Sequence, residues 1–232
     1  MSQLLKIRLP DGRTVTPADW TTAEPLWSTI EIPTGNVSTQ EAFTYGQGGV
    51  VPGSANNRQS QLIDTNLFGE GGKMPENEAI VIEAVAIEAY VIPPPGVTWI
   101  ANSDNAISPD LGVSNMLRLQ RDMLCIFTIA AVKEYIRIPL AFLPSGSGVD
   151  SGTASGLGAD LANGYVAAGN GSTSIKGLRH LASPLSVLGG EAMRFKFYPP
   201  RGTIAGLDLA NQAAARLRLR VFLLGYHKRP VA

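Results

Sequence analysis

With 232 residues, 44% of them apolar, the chain is long enough to bury a core, as one large domain or two small ones. Lys plus Arg and Asp plus Glu both total 19, so no global positive field draws it to nucleic acid or an anionic membrane, and any basic patch is local. The single cysteine, Cys125, excludes an internal disulfide and a zinc ribbon, and its apolar setting in "MLCIFTIA" predicts a buried, inert thiol.

The first segment, "MSQLLKIRLPDGRTV", lacks a basic cap followed by an apolar run and so does not read as a signal peptide. It predicts instead a small hairpin around Pro10-Asp11-Gly12, within an N-terminal arm spanning 1–27. The remainder, 28–232, is expected to form the main domain. Residues 28–45 suit two short strands about a turn, being rich in Thr, Ile, Val and aromatics and broken by Pro33 and Gly35. The polar, glycine-containing passage 46–78 is expected to be surface loop around a short strand at 61–67.

Residues 79–92, "AIVIEAVAIEAYVI", are apolar on both faces of a strand alternation, as in a strand covered on two sides. A helix is the rival, but the β-branched content and the following "PPPG" favour a strand. The run is too short, and with Glu83 and Glu88 too charged, to cross a bilayer, which makes a soluble chain in a reducing cytoplasm the expectation. Between 113 and 143 the first part could be an amphipathic helix; the β-branched and aromatic content places strands near 115–120, 123–131 and 134–139, with Arg121-Asp122 as a turn. The glycine-rich passage 144–174 predicts a long functional or mobile loop. Strands follow at 192–198 and 215–226. Together these elements predict an all-β, antiparallel β-sandwich of about eight strands with long loops.

The inventory for catalysis is thin. His180 and His227 are isolated and read as surface or loop histidines, so zinc or iron sites lack a ligand set. "GSGVDSG" and "GLGADL" miss the phosphate-binding glycine spacings, and "GTASG" misses the serine-hydrolase elbow by one position. Asn102, Asp104, Asn105 and Asp110 resemble a loose calcium loop without its central glycine and terminal glutamate. Glu83 and Glu88 are five apart and would face opposite sides of a strand. No catalytic residue, cofactor or metal is therefore expected. Trp20, Trp27 and Trp99 are the candidate stacking platforms if the protein is a carbohydrate-binding sandwich.

One segment stands out chemically. In "RLRLRVFLLGYHKRP" a strand would turn Leu217, Leu219, Val221 and Leu223 inward and set Arg216, Arg218 and Arg220 in an outer row about 7 Å apart. Such a row can meet carboxylates of a second subunit or phosphates of a nucleic acid, and the neutral net charge favours the subunit.

The segments "EYIRIPLAFLPSGSGV", "AMRFKFYPPRG" and "RLRLRVFLLGYHKRPVA", within residues 28–230, resemble the strand and loop style of single jelly-roll capsid proteins of tailless icosahedral bacteriophages. That resemblance implies an eight-stranded jelly roll without catalytic site, gripping neighbours through its arm and loops. It further implies a homo-oligomeric subunit located in the virion, partnered by itself and other virion proteins, with nucleic acid secondary. A carbohydrate-binding module, as in a phage receptor-binding protein, is the alternative.

Overall fold

The computed structural model describes residues 25–32, 38–54, 57–68, 71–90, 117–130, 133–143, 178–202 and 217–228 with side chains, and strand backbone alone at 7–8, 14–15, 35–37, 91–92, 150–155, 164–169, 204–207 and 216. Two main antiparallel sheets dominate. The first is organised by the arginine-bearing strand β14 (Arg216–Lys228), which pairs on one side with β3 (Leu26–Ile32) and on the other with β6 (Ala79–Ile92). The far side of β6 takes β11 (Arg179–Val187) along Ile80–Val85 and β10 (Gly164–Gly169) at Tyr90, and β10 in turn pairs with β9 (Asp150–Ser155). The length of β6 is matched by β14, which pairs with it from Ala79 to Ile92. The second sheet runs β5 (Gln40–Ala42), β12 (Met193–Tyr198), β7 (Leu124–Ile129) and β8 (Lys133–Pro139).

Two small pairings complete the strands. β1 (Ile7–Arg8) pairs with β2 (Thr14–Val15), bracketing the Pro10-Asp11-Gly12 sequence as expected, and β13 (Ile204–Leu207) pairs with β4 (Gly35–Val37). Because β3 starts at Leu26, the expected boundary between residues 27 and 28 falls inside a strand.

One apolar cluster is shared by both sheets, which makes the fold a β-sandwich. From the first sheet come Leu26, Ile30 and Ile32 of β3, Leu217, Leu219, Val221 and Leu223 of β14, and Ile80, Ile82, Val85 and Ile87 of β6. The second contributes Phe127, Phe195 and Phe197, whose rings lie 6.0 and 5.4 Å apart in sequence along the layer, together with Cys125, Ile129 and Met193. The inward alternation in β14 is that expected of its sequence. β6 departs from simple alternation: Ile80 and Ile82 share the core with Val85, Ile87 and Ala89, of opposite parity. A bulge explains this, since Leu224 pairs with Ala84 and Gly225 with Ile82, leaving Glu83 as the extra residue. At that point the backbones approach so closely that a Cβ on Gly225 would stand 1.9 Å from the Val81 carbonyl oxygen.

Several expectations are corrected. Residues 117–122 are helical, not a strand ending in a turn: Leu119 and Met123 bury one side four residues apart, while Leu117, Arg118, Arg121 and Asp122 face solvent. Residues 61–67 form a turn with one bridge, Ser28 to Thr65. The described residues of the passage 46–78 are loop, but not superficial, for Val51, Leu67 and Met74 belong to the interior. Within 144–174 the antiparallel strands β9 and β10 stand where loop was expected, and β11 and β13 are strands where none was expected. Among the described residues, no helix is long and apolar enough to cross a membrane.

Candidate functional site

Among the described residues, the outer face of β3, β14 and β6 carries the densest set of charged groups with defined partners. Alternation turns Trp27, Thr29 and Glu31 of β3 to this face, opposite Phe222, Arg220 and Arg218 of β14, which face Ala86, Glu88 and Tyr90 of β6. Glu31 is the only charged residue of β3 and is 3% exposed. Its Oε1 accepts from Arg218 Nη2 at 2.8 Å and from Arg58 Nη2 at 2.8 Å. Arg58 arrives from the loop and also grips Asp64 through two parallel bonds of 2.7 and 2.8 Å. On the other side, the Tyr90 hydroxyl accepts from Arg218 Nη1 and Arg220 Nη2, both at 3.2 Å. Arg220 also donates to Glu88 Oε2 at 3.1 Å and to Thr29 Oγ1 at 3.2 Å.

This arrangement redefines the arginine row. Arg218 and Arg220 are only 14% and 15% exposed along their side chains, and the Nη groups of both are bound within the chain. The side chain of Arg216 lies outside the described residues. Arg58, Arg218 and Arg220 stand against Asp64, Glu31 and Glu88, three cations to three anions, so the connected cluster is neutral in itself. A phosphate reaching Arg218 would have to displace a nearly buried carboxylate that already holds two guanidiniums. The cluster is therefore built to tie a loop to a sheet, and within it Arg218 and Arg220 are committed to partners of their own chain.

The electrostatics follow from burial and pairing. Burial alone would raise the Asp64 carboxyl, but the hydrogen bonds from Arg58 and from the Gln61 N–H hold it below the ordinary carboxylate value. Asp64 in turn raises the Arg58 guanidinium against its own desolvation. Arg218 loses hydration on burial, yet Glu31 and Tyr90 more than offset that and raise it.

The other singled-out residues fall in different places. Trp27 is partly buried on β3, with Nε1 donating to the Leu62 carbonyl at 3.1 Å; Trp20 and Trp99 lie outside the described residues, as do Asn102, Asp104, Asn105 and Asp110. His180 is exposed on β11. His227, expected on the surface, is fully buried instead: it follows the inward parity of β14, and its Nε2 lies 3.0 Å from Glu78 Oε2. Cys125 is buried, and desolvation pushes its thiol up. Glu83 is the bulged residue and Glu88 is bound to Arg220.

Sequence reasoning singled out Arg218 and Arg220, named Glu88 only as a strand carboxylate facing away from Glu83, and missed Glu31, Arg58, Asp64 and Tyr90. The available signal was Glu31, a lone carboxylate in the apolar strand "LWSTIEI", since an acidic residue in a strand one step from burial calls for a cation. No protein-family model, curated protein or solved structure matches the chain.

Proposed function

We propose that the chain is a structural virion subunit, a capsid or capsid-associated protein of a bacteriophage, with a jelly-roll sandwich that works by self-association and performs no catalysis. The observation that carries this reading is the strand order. The eight strands of the two facing sheets, counting β11 and omitting β9 and β10, are in chain order β3, β5, β6, β7, β8, β11, β12 and β14. One sheet has the order first, eighth, third, sixth; the other has second, seventh, fourth, fifth. First with eighth, second with seventh, third with sixth and fourth with fifth are the pairs of one long antiparallel hairpin, and rolling that hairpin adds the contacts between eighth and third and between seventh and fourth. This order supports the jelly-roll reading, in which loops at both ends of a rigid block are free to meet neighbours.

The internally neutralised arginine cluster suits the same role, because it stiffens the block rather than recruiting a small ligand. Other virion proteins are the further partners of this reading, and nucleic acid is secondary to them. For the carbohydrate-binding alternative, Trp27 is partly exposed and its indole N–H is held in place by the Leu62 carbonyl. Light scattering and negative-stain imaging of the full chain test the proposal. Capsomers or shells at some salt and concentration support it, and a strict monomer under all conditions overturns it.

A further inference from the structure

The outer edge of β3 is closed by its own chain. Antiparallel pairing with β14 uses one side of β3, and alternation sends the backbone groups of Trp27, Thr29 and Glu31 the other way, where an edge strand ordinarily offers them to another chain. Here they are taken. The Trp27 N–H donates to Asn66 Oδ1 at 2.8 Å and the Trp27 carbonyl accepts from Thr65 Oγ1 at 3.0 Å. The Thr29 N–H and carbonyl both go to the Tyr45 hydroxyl, and the Glu31 N–H donates to the Pro52 carbonyl at 2.9 Å. Asn66 Nδ2 also reaches the Pro25 carbonyl at 2.8 Å, next along the edge. These partners are mostly side chains from separate points of one loop. They satisfy the edge as a strand would without presenting a new strand edge beyond it.

We propose that residues 43–54 and 57–68 act as an intramolecular substitute for a neighbouring strand. The β3 edge beneath them is a latent strand-addition site for a second copy of this chain, held closed by Arg58, which bridges Asp64 on the loop and Glu31 on the strand. The occupant follows from self-complementarity: antiparallel pairing of two β3 edges centred on Thr29 sets Trp27 opposite Glu31 and brings no like charges together. Closure confines association of intact copies to other surfaces. This holds whether or not the chain is a virion protein.

Amide hydrogen exchange on the full chain tests the closure without any variant. The amides of Trp27, Thr29 and Glu31 should exchange about as slowly as those of Ser28, Ile30 and Ile32, and rates typical of an unprotected loop at the first three overturn the proposal. In Arg58→Ala those three amides should exchange faster by roughly tenfold, with the other three unchanged, and sedimentation should show association beyond that of the parent. Concentrating the variant should restore slow exchange at the same three amides. If the edge opens but association never exceeds the parent's, the latent site is refuted. Should Arg58→Ala fail to fold, Tyr45→Phe opens the same edge at Thr29 and is read by the same two measurements.

Discussion

The hydroxyl of Tyr45 serves both backbone polar groups of Thr29, accepting its N–H at 3.2 Å and donating to its carbonyl. One proton and two lone pairs allow a phenol to make the reciprocal exchange that an opposite strand residue would make.

Tyr45→Phe keeps the ring in the core and leaves two buried backbone groups without that partner. Urea unfolding should report a loss of about 1–3 kcal/mol. Tyr198→Phe, at an exposed ring, should stay within about 0.5 kcal/mol of the parent.

Burial pushes the Tyr45 phenol up to about 12 from its ordinary 10.0, with the hydrogen bonds from Ser28 and Thr29 acting against the shift. The unfolded chain therefore loses this proton at lower pH than the folded one. The contribution is intact below the unfolded value and declines as pH rises from it through the folded value, at about 1.4 kcal/mol per pH unit. Urea midpoints followed through this range should fall more steeply for the parent than for Tyr45→Phe, and parallel curves would refute it.

Asp64 behaves in the opposite sense. Its carboxyl is lowered in the folded state, so its stabilisation is present above the unfolded value of 3.8 and lost as pH falls through the folded one. Asp64→Asn should remove that part of the acid transition. At neutral pH it should cost about 2–3 kcal/mol, less than the loss for a wholly buried pair, because Arg58 keeps 35% of its side chain in water.

Gly225→Ala places a methyl group against the Val81 carbonyl and should cost more than about 3 kcal/mol or prevent soluble expression. Gly190→Ala is the informative comparison. It has open space but a φ of +78°, so only the left-handed conformation is penalised, at about 1 kcal/mol. Equal thermal shifts for the two would contradict the close approach at the bulge.

Arg218→Gln and Arg220→Gln should each lower stability and leave affinity for a DNA oligonucleotide unchanged, measured by fluorescence polarisation across a salt series. A phosphate contact would instead flatten the salt dependence by about one unit of slope for each arginine removed.

What the sequence disclosed depended on how local the cause was. β14 and β12 were legible because alternation of Leu with Arg, and of Phe with Lys or Arg, sets the two faces residue by residue. β6 was legible in extent but not in facing, since a bulge is fixed by Gly225 on another strand. The helix at 117–122 was hidden because its "LRLQRD" alternates like a strand while only Leu119 is buried. β11 was missed because its Pro184 and mostly exposed positions lack a strand's apolar pattern; its place comes from pairing with β6. For the site, Arg218 and Arg220 announced themselves, whereas their carboxylates come from residues up to 187 positions away, and no local pattern reports such pairs.

That separation also sets a schedule. Arg218 follows Glu31 by 187 residues, so at about 5–20 residues per second a ribosome takes roughly 10–40 s to deliver the second strand after the first. During that interval β3 has no β14 on one side, but the loop through Asn66 has already emerged and can cover the other. A chain that can shield half of an early strand while waiting for its last one halves the backbone left open to wrong partners during synthesis.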